Sequence, residues 1–364
     1  MATIRVFRES DIPAATALLA RVSPEHGWST LAECESYFRE ILFDNPWRDL
    51  ELPSWVAEQD GRMAGFYAVM PRPMLVRGRL IRVAVACQIT VAPEYRHSLT
   101  ALQLAQACLR GPQDLTVADA AHNGTRRMWL GIGGAAPALY GLDWIRPLRP
   151  ARCVLSLLEQ RGGVPRGLTL AARPLSGLVD LFAARSRWNR FYREASDVVD
   201  EDLDPATMLT HLAEVLDGTA LRPVYDARSL AWLLHQAGRK TCHGRLRARG
   251  VRDGDGQMIG WYLYFVRPGG ISEVVQIAAR NGVYDRVLQR LLADAWRQGA
   301  AALRGRLDPR YVQALSAHQC WFRQGRCTLV HSRHADVMDA IWHGDAFLSR
   351  LDGEWWVRLV NFDG

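Results

Sequence analysis

The chain reads Gln88-Ile89-Thr90-Val91-Ala92-Pro93-Glu94-Tyr95-Arg96-His97-Ser98-Leu99-Thr100-Ala101 at the point that decides its fold. The beginning of this stretch closes a run over 81–91 that is rich in β-branched residues, and such a run predicts a strand. A proline stops the strand, and residues from about 98 to 109 have the spacing of a helix. We therefore expect a strand, a turn and a helix N-terminus in succession, which together present backbone N–H groups to an anion.

Outward from this stretch, the first part of the chain predicts two helices and an antiparallel meander. The helices are expected over 14–22 and 31–42, and a third over 126–132. Asp60-Gly61 and Arg77-Gly78 have the composition of hairpin turns. The other strands of this part are expected at residues 4–7, 54–59, 63–69, 115–118 and 139–145, and 146–150 is expected to be an extended exit.

The second part of the chain repeats the order of the first. Asp60-Gly61-Arg62-Met63-Ala64-Gly65-Phe66-Tyr67 recurs as Asp255-Gly256-Gln257-Met258-Ile259-Gly260-Trp261-Tyr262. A strong strand pattern at 271–279 then precedes a helix and a strand, as 81–91 does. Two copies of one supersecondary unit explain this better than chance.

The predicted fold class is therefore α/β (α+β), with two lobes that are each a mixed, mostly antiparallel sheet flanked by helices. We expect domains at 1–155 and 223–364, joined by a helical linker at 156–222. Within the linker, apolar residues at 178–182 precede arginines between 185 and 193. An amphipathic basic helix of this kind packs on its own protein or lies on an anionic surface, and the sequence leaves both open.

Composition narrows the classes of partner. The 364 residues carry a formal net charge of +7, which suits a polyanionic ligand or an acidic partner, although a mildly basic surface without a specific partner fits equally. No nucleic-acid-binding motif is present, so nucleic acid is not expected as a partner. The 7 cysteines lack CxxC spacing, and neither a disulfide framework nor a metal site is expected. Without a membrane-spanning stretch or a secretory signal, a cytoplasmic location is expected.

The quoted stretch resembles the signature of the GCN5-related N-acyltransferases (GNAT). Val91, Pro93, Tyr95 and Arg96 fall where that family has its Val-x-Pro-x-Tyr-Arg pattern and pyrophosphate turn. The element order of the first lobe is similar to that of the family as well. The resemblance covers about residues 3–150 well and 225–330 loosely, as in tandem members with a degenerate second copy.

The resemblance implies acetyl-CoA, or another acyl-CoA, as co-substrate in the first lobe. Strand residues would polarise the thioester carbonyl, and the turn would hold the pyrophosphate. One position departs from the family pattern, because Leu99 stands where its first glycine is expected, and we expect a reshaped site there. The cofactor-binding residues implied in this way are Ile89, Thr90, Val91, Arg96, His97, Ser98, Leu99, Thr100, Ala101 and Asn123.

In this family the acceptor amine attacks the thioester directly, so the enzyme supplies a base and an acid rather than a nucleophile. Tyr140 is the best match to the family's acid tyrosine. Asp119 and His122 follow a predicted strand near the catalytic mouth, although a loop histidine is more often only solvated. The weaker candidates are Glu33, Glu35 and Tyr67, and Glu33 also suits a helix cap.

Three functions stay open from the sequence. The first is an N-acyltransferase that acts on an amine of a small molecule or sugar. The second is a transferase of the same fold with an aminoacyl-tRNA or acyl carrier protein as donor, which the basic charge and Leu99 favour. The third is a non-catalytic binding or scaffold protein. The tryptophans of the second half would close an acceptor pocket or a homodimer interface, and the closing stretch 344–356 suggests no mechanism.

Overall fold

The computed structural model describes residues 2–23, 30–160 and 197–357. Its helices are α1 (Ile12–Val22), α2 (Leu31–Leu42), α3 (Thr100–Leu109), α4 (Asn123–Gly131), α5 (Pro150–Gln160), α6 (Pro205–Val215), α7 (Ala227–Gly238), α8 (Tyr284–Arg297), α9 (Val312–Ala317) and α10 (Ala335–Trp342). Its strands are β1 (Thr3–Val6), β2 (Trp55–Gln59), β3 (Arg62–Val76), β4 (Arg79–Val91), β5 (Leu115–Ala121), β6 (Leu142–Pro147), β7 (Val199–Asp202), β8 (Leu221–Pro223), β9 (Arg245–Arg252), β10 (Met258–Val266), β11 (Ile271–Ala279), β12 (Ala302–Arg306), β13 (Trp321–Gln324) and β14 (Cys327–His331).

The chain divides into two compact units, each assembled from separated segments. The first unit holds Met1–Gly141, Thr219–Leu233 and Arg326–Phe362, and the rest of the chain forms the second. These segments differ from the contiguous boundaries expected from the sequence, because β6 belongs to the second unit and β14 to the first. The basic helix predicted within 178–193 lies outside the described residues.

The sheet of the first unit has the strand order β1-β2-β3-β4-β5-β14, with β8 paired to β3. Phe66 of β3 packs against Phe38 of α2, with ring centroids 5.8 Å apart. The next residue, Tyr67, belongs to the core that includes Leu104 of α3. Because successive strand residues point to opposite faces, α2 and α3 cover opposite faces of this sheet.

The sheet of the second unit has the order β13-β6-β12-β11-β10-β9-β7. Helix α8 supplies its main packing partner, since Val287, Leu288 and Leu291 are fully buried in the core of this unit. Each unit has one parallel pair among its described strands, β4 with β5 in the first and β11 with β12 in the second. The other described strand pairs are antiparallel. The predicted fold class, two mostly antiparallel sheets flanked by helices, is confirmed.

The two sheets carry the same irregularities at repeat-equivalent positions. The pairing of β2 with β3 skips Ala64, and that of β9 with β10 skips Ile259. The pairing of β3 with β4 skips Cys87, and that of β10 with β11 skips Val275. Bulges are features that a strand keeps for a structural reason, so their shared placement supports two copies of one unit.

Two local predictions were wrong. Residues 139–145 are not one strand, because Leu139–Gly141 forms a short 3-10 turn before β6. Residues 146–150 are not an extended exit, because β6 continues to Pro147 and α5 begins at Pro150. Proline suits the first turn of a helix, where its missing N–H costs no hydrogen bond, so Pro150 starts an element rather than breaking one.

Candidate functional site

A cleft opens in the first unit where two parallel strands separate. Strands β4 and β5 pair over Val83–Val85 and Leu115–Val117. Beyond this pairing, the bulge at Cys87 redirects β4. The cleft has a volume of about 410 Å³, and its walls include residues 86–91 of β4 together with Ala118, Ala120 and Ala121 of β5. The strands therefore leave a gap in which a ligand can reach the backbone of β4.

Three of the predicted binding residues on β4, Ile89, Thr90 and Val91, line this cleft. Thr90 is buried, and its hydroxyl accepts a hydrogen bond from Gln88 Nε2 at 3.1 Å. Strand β3 runs close to this residue, since a Cβ added to Gly65, the partner of Val91, would lie 2.7 Å from the carbonyl oxygen of Thr90. Glycine at 65 thus allows β3 to support the strand that forms the wall of the cleft.

The turn before α3 borders the same cleft, with Arg96 and Ala101 among its lining residues. Ser98 shapes the turn, because its hydroxyl donates to the carbonyl oxygen of Tyr95 at 2.7 Å and accepts from the backbone N–H of Thr100 at 3.2 Å. The hydroxyls of Ser98 and Thr100 are also 2.7 Å apart. These two side chains organise the helix entrance, and with His97 they are outside the set that lines the cleft.

Leu99 does not enter the cleft. Its side chain is 62% exposed. Its backbone has φ −80° and ψ 7°, a conformation open to any L-residue. The leucine therefore replaces the family's glycine without backbone strain and without filling the space that a ligand would use.

Three candidate residues lie at the end of β5, and they have different surroundings. His122 lines the cleft, and its Nδ1 lies 2.5 Å from Nη1 of Arg326. Burial lowers the pKa of Arg326, while the Glu354 charge opposes that effect. Asn123 begins α4 and lies outside the cleft lining, with its Oδ1 3.9 Å from the Cys327 thiol. Of these three, only His122 is among the residues that line the cleft.

Asp119 is buried beneath the cleft rather than in its wall. Its Oδ1 accepts the backbone N–H groups of Glu354 at 2.5 Å and Trp355 at 3.0 Å. A Cβ at Gly353 would lie 2.2 Å from the Asp119 carboxyl carbon, so this position has no room for a side chain. The placement of Asp119 supports an anchoring role for the closing stretch of the chain instead of proton transfer.

Tyr140 lies away from the cleft. It is buried, and its hydroxyl donates to the carbonyl oxygen of Ala346 at 2.9 Å and accepts from the N–H of Ala346 at 3.1 Å. The tyrosine that does line the cleft is Tyr67, whose hydroxyl accepts from Trp129 Nε1 at 3.2 Å. Burial raises the pKa of Tyr67 well above its usual value, so its hydroxyl stays protonated.

Glu354 is a lining residue that sequence reasoning missed. It is 8% exposed, and its Oε1 accepts the backbone N–H of Ala120 at 3.0 Å. Glu33 and Glu35, by contrast, are not among the lining residues, and the N–H of Glu33 is capped by Thr30 Oγ1. The sequence feature that contains Glu354 is the distinctive stretch 344–356, to which the sequence alone assigned no role.

Neither a metal centre nor a membrane span is indicated over residues 2–23, 30–160 and 197–357. No group of three or more His, Cys, Asp or Glu side chains in these ranges is placed to hold a metal ion. No helix in the same ranges combines the length and the apolar composition needed to cross a bilayer.

Residues 3–112 match the model of the acetyltransferase (GNAT) domain family. The matched range contains β4, the turn and α3, which form one side of the cleft. A search of curated proteins finds no match to the chain.

Solved structures with a similar fold span both units. A GCN5-related N-acetyltransferase from Anabaena variabilis ATCC 29413 has a TM-score of 0.60 at 14% identity, and covers 93% of this chain and 75% of its own. A conserved protein of unknown function from Enterococcus faecalis V583, described as a probable N-acyltransferase, has a TM-score of 0.59 at 10% identity, with 91% and 73% covered. A GCN5-related N-acetyltransferase from Kribbella flavida has a TM-score of 0.54 at 15% identity, with 91% and 72% covered. At these identities the likeness establishes the fold.

Proposed function

Because residues 3–112 carry a GNAT acetyltransferase domain, we propose that the chain is an N-acyltransferase that passes an acyl group from acyl-CoA to an amine in the cleft of its first unit. The observation that carries this proposal is the gap between β4 and β5, which lies beside the N-terminal turn of α3. A helix N-terminus binds phosphate through its free N–H groups and dipole. A gap in the sheet adjacent to it gives an extended thioester access to backbone donors.

The residues present fit an acyl-CoA. Arg96 lines the cleft next to the first turn of α3, where its guanidinium would pair with a pyrophosphate oxygen. Leu99 points to solvent and leaves that position open. When bound, acyl-CoA supplies an acyl group activated as a thioester. Residues Ile89 to Val91 would orient the thioester and place its carbonyl against the backbone of β4.

We further propose that the donor is acetyl-CoA and that the acceptor is an amine of a small molecule or a sugar. The protein would act in the cytoplasm. The sequence kept a carrier-linked donor and a non-catalytic role as alternatives, partly because Leu99 stands where the GNAT pattern has its first glycine. The exposure of Leu99 removes that ground, so the simpler free acyl-CoA donor is preferred.

The second unit supports assigning the chemistry to the first. After β12, Tyr311 stacks on Tyr284 at the start of α8, with ring centroids 3.7 Å apart, and its hydroxyl lies 3.5 Å from the carbonyl oxygen of Ala279 at the end of β11. An aromatic ring thus connects the end of β11 with the segment after β12, and in the predicted repeat these correspond to the strand ends beside the gap of the first unit. Asp285 also places a carboxylate in the first turn of α8, where it would repel a phosphate.

The test is release of free CoA from acetyl-CoA, measured with a panel of small-molecule and sugar amines. Wild-type protein should release CoA in an amine-dependent way, and Arg96→Ala should raise the KM for acetyl-CoA by about tenfold or more, since a charge-assisted contact is lost. Arg110→Ala, at the other end of α3, is the matched control and should behave as wild type. Failure of every amine and of longer acyl-CoA donors to support turnover would contradict the proposal.

A further inference from the structure

The closing stretch of the chain, residues 344–357, is fixed to the first unit along its length. Near its start, the backbone of Ala346 is held by two hydrogen bonds with the Tyr140 hydroxyl. Ser349 donates to Asp352 at 2.6 Å, and Trp356 Nε1 donates to the carbonyl oxygen of Leu351 at 2.6 Å. These contacts hold the stretch in a defined conformation.

The far end of this stretch is fixed to α2. The Tyr37 hydroxyl of that helix donates to the carbonyl oxygen of Val357 at 2.7 Å. Trp355 and Trp356 are buried in the same region, with Trp356 fully so. The carboxylate of Glu354 therefore comes from a backbone that is held on both sides of it.

Two contacts to β5 fix Glu354 itself. Asp119 accepts the backbone N–H groups of Glu354 and Trp355, and the N–H of Ala120 donates to Glu354 Oε1 at 3.0 Å. Gly353 permits the close approach, because any side chain there would meet the Asp119 carboxylate. Backbone and side chain are thus fixed separately, which holds a carboxylate at one place in the cleft wall.

Among the described residues that line the cleft, Glu354 is the one carboxylate. Asp119 is buried and uses Oδ1 to hold two backbone N–H groups. His122, the other basic candidate in the wall, lies against the Arg326 guanidinium. The cleft therefore offers one carboxylate in contact with the space where an amine would meet the thioester.

We propose that Glu354 is the base that accepts the proton from the attacking amine, and that Asp119 is the positioning residue that holds it in the cleft. This assignment rests on the proposed acyltransferase function. The amine nitrogen attacks the thioester carbon, so a C–N bond forms and the C–S bond breaks with its electron pair going to sulfur. The proton lost by nitrogen passes to the Glu354 carboxylate and then to solvent, and the thiolate takes a proton from solvent to leave as CoA.

The groups around Glu354 define what a pH profile would report. Among the described residues, the titratable and charged groups around Glu354 come from β3, β4, β5, the residue before α4 and the residue before β14. They are Tyr67, Cys87, Asp119, His122 and Arg326. Burial raises the pKa of both Tyr67 and Cys87, so both stay protonated while a carboxylate titrates. If kcat falls at low pH in wild type, and this fall disappears when Glu354 is replaced, the group responsible is the Glu354 carboxylate.

The experiment compares wild type with Glu354→Gln in the full chain. Glutamine is isosteric and keeps an oxygen for the Ala120 N–H, so the fold and the Kd for acetyl-CoA should change by less than about twofold. The kcat should fall by about 100-fold or more, the range of a lost general base, and the acid limb of the kcat–pH profile should disappear. Glu51→Gln, an exposed carboxylate of the same unit, is the matched control and should keep wild-type kcat.

A second pair of variants separates positioning from proton transfer at Asp119. Asp119→Asn keeps an acceptor oxygen for the two N–H groups and should retain kcat within about tenfold with its acid limb. Asp119→Ala removes that acceptor and should lower kcat further while leaving the Kd for acetyl-CoA near wild type.

Three results would overturn the assignment in distinguishable ways. A wild type that turns over while Glu354→Gln keeps kcat within threefold would remove Glu354 as the base. Loss of the acid limb in Asp119→Asn, with the limb kept in Glu354→Gln, would move the base to Asp119. A wild type without turnover on any amine would instead fail the proposed function, and this assignment with it.

Discussion

Leu99 lies at the entrance of α3 with its side chain in solvent and its backbone in an ordinary right-handed conformation. A glycine pattern is often taken as a requirement for phosphate approach, yet what matters is whether a Cβ points at the ligand. Here Ser98 and Thr100 build the turn through their hydroxyls, and the side chain between them faces outward. Leu99, the departure from the GNAT pattern, is therefore not among the residues that line the cleft.

This predicts a small effect of Leu99→Gly. The Kd for acetyl-CoA, measured by titration calorimetry, should change by less than about threefold, because the replaced side chain does not line the cleft. Leu99→Ala, which retains a Cβ, is the companion variant and should bind in the same way. A gain of tenfold or more in Leu99→Gly alone would show that the leucine obstructs the ligand.

At the residue scale, a contiguous sequence pattern was enough to bring several predicted residues to one cleft, and their binding roles stay predictions. The strand residues Ile89 to Val91 and the turn residue Arg96 were placed by a contiguous pattern, and all of them line the cleft. Glu354 was missed because its place depends on a backbone anchor, Asp119, that lies more than two hundred positions earlier in the chain. No local periodicity records such a contact, and a carboxylate in a loop looks like any solvated one.

Strand β3 and its glycine illustrate the element scale. Gly65 and Gly260 occupy the same place in the two repeats, and added Cβ atoms would lie 2.7 Å and 2.3 Å from the carbonyl oxygens of Thr90 and Ala278. Each glycine adjoins the bulge that its strand shares with the other copy. In each repeat, the glycine of the hairpin thus allows the central strands to approach closely, β3 to β4 in the first unit and β10 to β11 in the second.

Gly65→Ala should therefore disturb the wall of the cleft. The methyl group would push β3 away from β4, and we expect a loss of about 1–3 kcal/mol in the free energy of unfolding, as for overpacked sites. A shift in the midpoint of urea unfolding measures this. Gly131→Ala is the control, because nothing lies within 4 Å of its added Cβ. Equal unfolding midpoints for the two variants would show that β3 can shift to accommodate the methyl group without loss of stability.

The pairing of strands was less predictable than the strands themselves. The bounds of β11 agree with the sequence pattern at 271–279. The partner of β14, however, is β5 of the first unit, and β6 joins β12 of the second. Alternating side chains specify which face of a strand is buried, but they do not name the neighbour along its edge.

At the scale of the whole molecule, the two units differ in the surroundings of the turn that precedes their main helix, α3 in the first and α8 in the second. The first unit has an open cleft beside a turn with an arginine, whereas the second has a tyrosine stacked on a tyrosine in the corresponding place. In the second unit, Arg280 lies four residues before the start of α8, as Arg96 lies four residues before the start of α3. Its guanidinium pairs with Glu214 at 2.7 Å. We therefore expect one acyl-CoA site per chain.

The measurement that tests this most directly is a calorimetric titration of the full chain with acetyl-CoA, repeated for Arg96→Ala and for the repeat-equivalent variant Arg280→Ala. We expect one site per chain in wild type, a Kd weakened by about tenfold or more in Arg96→Ala, and an unchanged Kd in Arg280→Ala. Absence of binding, two sites per chain, or a loss of affinity that follows Arg280 instead of Arg96 would contradict this expectation.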